Sequence, residues 1–418
     1  MYDIIVIGGG AAGMMAAAAA SARGARVAIL ERNDKPGKKL RITGKGRCNL
    51  TNDCAVSEVL ANITTGGRFL QSSLNGFTPR DAMDFFESIG VPLKTERGGR
   101  VFPQSDEAST VADALWRHTK KNGVEYIRGR ATKLIARDGH ISGIATTDAE
   151  YICKSAILAT GGASYPATGS TGDGYKMASE LGHTITPLRA SLVPLEAEPE
   201  TCAEMQGLTL KNIRMAIYGG DARKPIFEDF GELLFTHFGI SGPLPLSASA
   251  HMRDFEQIKY HAIIDLKPAL DEKKLDLRIL RDFDKYSNRD FANALGDLLS
   301  KTMIPVVIKK SGIDPGIKVH SINREQRLRL VRLLKSFRID IDAPRPIDEA
   351  IITSGGVDTR EINPKTMESK LIPGLYFAGE IINADAYTGG FNLQIAWSTA
   401  TASARGTWNQ LSSGGGFG

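Results

Sequence analysis

Three glycines, Gly8, Gly10 and Gly13, have the G-x-G-x-x-G spacing that lets a backbone turn tightly, approach a pyrophosphate and pack a helix on a strand. The helix that such a turn opens also aims free N–H groups at the phosphates. Alone the pattern is weak. Here it follows an apolar run, YDIIVI at 2–7, and opens an alanine-rich stretch that reads as a helix to about Arg23. A second apolar run, RVAIL at 26–30, leads to Glu31, eighteen residues after Gly13, where a carboxylate can accept hydrogen bonds from ribose hydroxyls. This context predicts a dinucleotide site.

The far end of the chain selects the dinucleotide. PGLYFAGE at 373–380 reads as a buried strand ending in Gly379 and Glu380, and GGFNLQIAWSTATASARG then begins a helix. A nicotinamide dehydrogenase needs no closing strand-glycine-acid element, whereas Glu380 and backbone N–H groups there could reach the ribityl-phosphate side of a flavin. FAD is therefore the expected cofactor, although a helix-start carboxylate stabilised by the macrodipole is the plain alternative for Glu380. Flavin chemistry asks the protein for at most a proton donor, an orienting group and a dry pocket. His237, in LFTHFGISGP, could donate the proton or simply bond backbone. Cys48 could protonate a substrate carbon or pack against the isoalloxazine, and Tyr387 and Arg100, in glycine-adjacent loops, are further candidates. There is no second G-x-G-x-x-G, since GSTGDG at 169–174 has the wrong spacing, so any NAD(P)H is expected as a transient visitor. Cys48, Cys54, Cys153 and Cys202 show no Cys-x-x-Cys pair, which argues against a metal site, a redox dithiol and a disulfide framework.

Six motifs carry a family resemblance: GGGAAG, TGKGRCNLTN at 43–52, GGRVFPQSD at 98–106, ATGGASYPATGSTGDGY at 159–175, LLFTHFGISGP at 233–243 and PGLYFAGEIINADAYTGGFNLQIAWSTA at 373–400. Together, and in this order over nearly the whole chain, they resemble the YhiN/BaiN family of flavoproteins. The resemblance implies a dinucleotide-binding domain interrupted by an insert, with FAD in an extended form. It places Ala12 and Gly13 at the pyrophosphate, Glu31 and Arg32 at the adenosine, and Lys39, Leu40, Arg47, Cys48 and Asn49 beside the flavin. Ala131, Thr160 and Gly161 would add backbone contacts, and Gly379, Glu380, Asn392 and Leu393 would close the site. A helix N-terminus near the flavin's pyrimidine end would stabilise a reduced, anionic flavin. The activities associated with the family are reduction of unsaturated oxo-steroids, reduction of uridine in ribosomal RNA, and oxidation of a small aminoketone.

The elements that must position these residues follow from periodicity. Helical spacing runs from Thr78 to about Gly90 and from Ser109 to Lys121, and strands are predicted at 124–128, 131–137 and 140–146. SAILAT then runs into Gly161 and Gly162, repeating the opening grammar. Residues 36–52 are too long for a simple connection and read as a functional loop, or else as a flexible surface loop. From Pro187 on, short strands and turns indicate a β-rich insert, and 271–338 holds amphipathic helices. The clearest is 324–338, with Leu330, Val331, Leu334 and Phe337 on one face and Arg329, Arg332, Lys335 and Arg338 along another.

A chain of 418 residues, 42% apolar and 24% charged, is an ordinary globular composition too long for one core. Residues 4–22 carry no charge, but three glycines and many alanines interrupt them and Asp3 stands where a signal peptide wants a base. No membrane span and a reducing cytoplasm are expected. The net charge of +5 is uneven: Lys267–Asp340 holds seventeen basic and ten acidic residues, +7, leaving 5 − 7 = −2 for the rest. Such a segment is either a solvated face or a nucleic-acid footprint, and no aromatic platform for stacking bases accompanies it. The expected fold is α/β: a three-layer, mostly parallel Rossmann-like FAD domain from 1–190 and 345–410, interrupted by a β-rich part (191–265 and about 339–345) and a basic helical part (266–338), with a flexible tail at 411–418. The expected function is NAD(P)H-driven, FAD-mediated reduction of an activated carbon–carbon double bond, in ribosomal RNA or an unsaturated oxo compound. The alternatives are a flavin oxidase of a small amine and a flavin-bearing RNA-binding factor without turnover.

Overall fold

Strand β1 (Tyr2–Ile7) sends Ile4 and Val6 into one core and Ile5 and Ile7 into another. Burial on both faces is what a near-continuous apolar strand implies in a parallel sheet. The computed structural model, which describes residues 1–413, shows that sheet with helices on both sides. After β1 come α1 (Ala11–Ser21), β2 (Val27–Glu31), α2 (Lys38–Ile42), β3 (Thr51–Asn52), α3 (Val56–Ala61), β4 (Ile63–Thr65), α4 (Gly67–Gly76) and α5 (Pro79–Ser88). Then follow β5 (Leu93–Glu96), β6 (Arg100–Pro103), α6 (Ala108–Lys121), β7 (Glu125–Arg128), β8 (Ala131–Arg137), β9 (His140–Thr146), β10 (Glu150–Leu158), α7 (Asp173–Glu180) and β11 (Ile185–Ser191). Local signals set several boundaries: α5 starts on Pro79 after Thr78, whose hydroxyl accepts from the Asp81 N–H while the Asp81 side chain answers at the Thr78 N–H.

Between Ser191 and Pro346 the chain forms a second compact unit. It contains β12 (Leu195–Ala197), α8 (Pro199–Glu204), β13 (Thr209–Gly219), β14 (Phe227–Thr236), β15 (Gly239–Ser241), α9 (Pro243–Ser249), β16 (Tyr260–Asp265), α10 (Glu272–Lys285), α11 (Ile304–Ser311), α12 (Arg324–Lys335) and β17 (Phe337–Pro344). The six strands close into an antiparallel barrel, β12-β15-β14-β13-β16-β17, and α10, α11 and α12 pack together beside it. The helix expected over 324–338 ends at Lys335. Phe337, Ile339 and Ile341 are buried at alternate positions, and β17 pairs with β16 from Ile264↔Phe337 onward, so the period-2 pattern of FRIDID overrides helix propensity. The expected basic row is shortened too: Lys335 Nζ bonds Asp265 Oδ2 at 2.5 Å and the carbonyls of Lys267 and Leu270 at 3.2 and 2.7 Å.

From Ile347 the chain returns to the first unit with β18 (Ile352–Val357), β19 (Leu375–Phe377), β20 (Asp385–Ala386) and α13 (Phe391–Ser413). The parallel order is β7-β2-β1-β10-β19, and Glu150–Ile152 of β10 also pairs antiparallel with the β8–β9 hairpin. Helix α1 packs on both α6 and α13, so the first and last helices share one layer. The tail expected at 411–418 is helical through Ser413, and 414–418 lie outside the described residues. The uncharged run 4–22 is β1, the glycine turn and α1; no helix among the described residues is long and apolar enough to cross a membrane.

Candidate cofactor site

The glycine turn divides its labour. A Cβ on Gly13 would lie 1.8 Å from the Gly8 carbonyl oxygen, and one on Gly8 (φ +103°) would lie 2.5 Å from that of Ala159, so both are required for close packing. A Cβ on Gly10 would meet nothing within 4 Å, which leaves that side open to a ligand. No side chain caps α1, so its first-turn N–H groups stand available to an anion. Glu31 is 7% exposed, and its carboxylate is fixed beside the turn, accepting the Gly9 N–H at 2.5 Å and the Asn33 N–H at 2.8 Å. Arg32 donates to Thr171 Oγ1 at 2.7 Å and reaches Asp173 at 3.2 Å. Two bonds from Arg130 at 2.9 Å chiefly hold the Asp173 carboxyl below its ordinary range. Ala131 opens β8 immediately afterwards.

The segment 36–52 is a loop, as expected, carrying the short helix α2 (Lys38–Ile42) and ending in β3 (Thr51–Asn52). Gly37 donates its N–H to the Gly9 oxygen at 2.8 Å, tying α2 to the glycine turn. From α2, Lys39 Nζ reaches Glu380 Oε2 at 2.7 Å and Ser164 Oγ at 2.7 Å, and Glu380 Oε1 also accepts from Ser164 Oγ (3.1 Å) and the Thr353 N–H (2.8 Å). Gly379 (φ +75°) comes so close to α1 that a Cβ there would lie 2.7 Å from that of Ala12. Arg47 is clamped by Glu96 and Asp106, with its guanidinium 4.2 Å from the Phe102 ring centroid. Leu40 and Cys48 are buried in the same core, and burial pushes the Cys48 thiol up to about 12.

Two buried polar side-chain atoms lack any hydrogen-bond partner among the described residues: Asn49 Oδ1 and Thr160 Oγ1. Buried polar atoms are almost always paired, so such orphans need a missing partner. Both belong to the set that the family resemblance assigns to FAD. With the open Gly10 approach and the uncapped α1, they fit a large polar cofactor, and the site passes this test.

Other assigned residues act on the frame. Gly161 (φ +73°) turns the chain after β10. Asn392 accepts the Ala386 N–H at 2.9 Å and donates to the Ala386 oxygen at 2.7 Å, closing the loop before α13, where Leu393 packs on the core. Asn52 Nδ2 bonds Gly98 O at 2.9 Å and Gly389 O at 3.0 Å, joining that loop to the β5–β6 hairpin that carries Arg100. Tyr387 donates its N–H to the Asn62 oxygen. His237 belongs to the second unit, exposed in the turn between β14 and β15, its ring edge-on to Phe238 at 5.1 Å. Sequence reasoning missed Ser164, Thr353 and Asn52. Ser164 and Asn52 lie inside quoted motifs, but their roles depend on partners 216 and 337 residues away.

A parallel sheet that opens on a glycine turn, answers it with a carboxylate and closes on a strand-Gly-Glu element defines an FAD-binding oxidoreductase of the Rossmann type. The family model for the HI0933-like protein Rossmann domain matches residues 2–406, and the chain belongs to that family, as the six motifs implied. It is 31% identical over 409 residues to a ribosomal RNA dihydrouridine synthase of Escherichia coli (strain K12), covering 97% of each chain. It is also 32% identical over 386 residues to a 3-dehydro-bile acid delta(4,6)-reductase of Clostridium scindens, covering 91% of this chain and 92% of that one. Among solved structures, a 3-ketosteroid-delta4-(5alpha)-dehydrogenase from Rhodococcus jostii RHA1 aligns with a TM-score of 0.52 at 14% identity, over 97% of this chain and 96% of that one, a likeness of fold.

Proposed function

We propose that the protein reduces an activated carbon–carbon double bond with electrons from NAD(P)H, with uridine in ribosomal RNA as the favoured substrate and an unsaturated oxo compound second. The observation that supports this most is that two full-length relatives, named for very different substrates, share one bond chemistry: both names denote saturation of a conjugated C=C. Bound FAD would accept a hydride and pass it on. The chain's own residues hold and orient it: the turn at Gly8–Gly13 and the α1 N–H groups take the pyrophosphate, Glu31 the ribose, and Asn49 and Thr160 offer their unpaired oxygens. Lys39, Glu380 and Ser164 form a fixed polar wall beside α1. His237 and Cys48 stand as the sequence's candidates for supplying the proton.

RNA is favoured over a small molecule because of the basic segment. Lys273, Arg281, Lys301, Arg324, Arg329 and Arg332 form no ion pair among the described residues, so their charge is available to phosphates. The test is the absorption spectrum of the purified holoprotein before and after anaerobic NADH or NADPH, followed by re-oxidation with bacterial ribosomal RNA or a 3-oxo-4,6-diene steroid. Bleaching of the flavin band, reversed by RNA faster than by steroid, is the expected result. A flavin left oxidised by both nicotinamides but reduced by a small amine overturns the reading in favour of an oxidase.

A further inference from the structure

Tyr165 is a bulky aromatic residue in the left-handed region, at φ 52° and ψ 59°. Such residues avoid that region unless the surroundings impose it, and imposed outliers cluster where chemistry is done. Here the imposition is visible. The Tyr165 N–H donates to the Asp348 oxygen at 3.2 Å, and its carbonyl accepts from the Thr168 N–H at 2.8 Å and the Thr168 hydroxyl at 2.7 Å. The preceding residue, Ser164, is buried and bonded to both Lys39 and Glu380. The Lys39 ammonium lies 5.9 Å from the Tyr165 ring centroid. The ring is half-buried, and its hydroxyl has no hydrogen-bond partner among the described residues. That hydroxyl is not one of the sealed, unpaired polar atoms, so it stands open to solvent, where a substrate can reach it.

Resting on the reductase reading, we propose that Tyr165 is a catalytic residue, the acid that protonates the substrate carbon. In the step, the C=C π bond breaks. One carbon receives a hydride, with its electron pair, from the reduced cofactor that a nicotinamide dinucleotide has charged, and its neighbour receives the Tyr165 phenolic proton. The two electrons leave the cofactor with the hydride, the phenolate is left on a ring whose centroid lies 5.9 Å from the Lys39 ammonium, and solvent water restores its proton. Tyr165 suits this better than Cys48, whose thiol is sealed in the core and holds its proton strongly.

The test separates half-reactions in the holoprotein. Wild type and Tyr165→Phe are reduced anaerobically with NADPH, then mixed in stopped flow with bacterial ribosomal RNA, with a 3-oxo-4,6-diene steroid, or with oxygen. Phe keeps the ring, and retained FAD absorbance confirms that the variant folds. Oxygen takes electrons without protonation of a carbon, so its re-oxidation rate should change less than about threefold. Re-oxidation by the unsaturated acceptor that serves wild type should fall by about 100-fold to 10,000-fold, the range general acids supply. If Tyr165→Phe is re-oxidised by that acceptor as fast as wild type, the proposal is overturned while the reductase reading stands. If wild type is re-oxidised by oxygen alone, the reductase reading itself falls, and Tyr165 as donor with it.

Discussion

At the scale of single residues, the two kinds of glycine in the turn give opposite expectations. Gly13→Ala forces a methyl group onto the Gly8 carbonyl oxygen and should cost more than about 3 kcal/mol, read as loss of soluble protein or a collapse of the melting temperature. Gly10→Ala has open space for its methyl group. It should leave the apoprotein's melting temperature within about 2 °C while weakening FAD binding at least about tenfold, some 1.4 kcal/mol, in a fluorescence titration. Equal effects on stability would show that the open side is not the cofactor's. Cys48 sets a pH dependence. Its folded thiol is held up to about 12 by burial, well above the roughly 8.5 of a free thiol. Its contribution to stability is therefore intact below about pH 8.5 and shrinks as pH rises from there toward 12. By pH 10.5, about two pH units above the free thiol's value, the loss should be about 2.7 kcal/mol, and Cys48→Ala should lessen the alkaline fall in denaturation midpoint. The glycines and Cys48 were legible in sequence because motif spacing names them. The orphaned oxygens of Asn49 and Thr160 were not, since an unpaired atom is defined only by what the fold puts around it.

At the scale of elements, α12 shows how a correct pattern can mislead about its own polar face. The apolar stripe Leu330, Val331 and Leu334 is buried as its spacing requires, and Asn323 with Gln326 caps the start reciprocally. Arg329 and Lys335 look alike in a helical wheel, yet Lys335 spans the end of α12 and the β16–α10 connection, with its side chain 16% exposed. Lys335→Met should cost about 2–4 kcal/mol in urea denaturation, because it strands a partly buried carboxylate and two carbonyls. Arg329→Met should stay within about 0.5 kcal/mol. Similar costs for both would mean the Lys335 bonds contribute little. The sequence reading also missed α3, only six residues long, and α4, although Leu70, Ser73 and Leu74 are buried there at helical spacing, and it ended α12 three residues late because Phe337 continues the helical stripe while belonging to β17.

For the whole molecule, the predicted footprint is a matter of summed charge. Replacing Arg324, Arg329 and Arg332 together by Glu should weaken binding of bacterial ribosomal RNA and reduce the slope of log affinity against log salt by about 2. Unchanged affinity and slope would reduce the basic segment to a solvated face. The amino-acid sequence by itself determined the class of fold and the cofactor: the glycine spacing, the answering Glu31 and the closing Gly379–Glu380 are local signals, because backbone turns and strand-to-helix junctions are fixed within a few residues. Only the tertiary structure decided which charges are spent internally and which face outward. It brought Lys39 to Glu380 across 341 positions, assigned Lys335 to Asp265, and set Tyr165 in its left-handed turn against Asp348. The reason is that ion pairs and hydrogen bonds between distant segments depend on how strands order and helices pack, which no local spacing encodes.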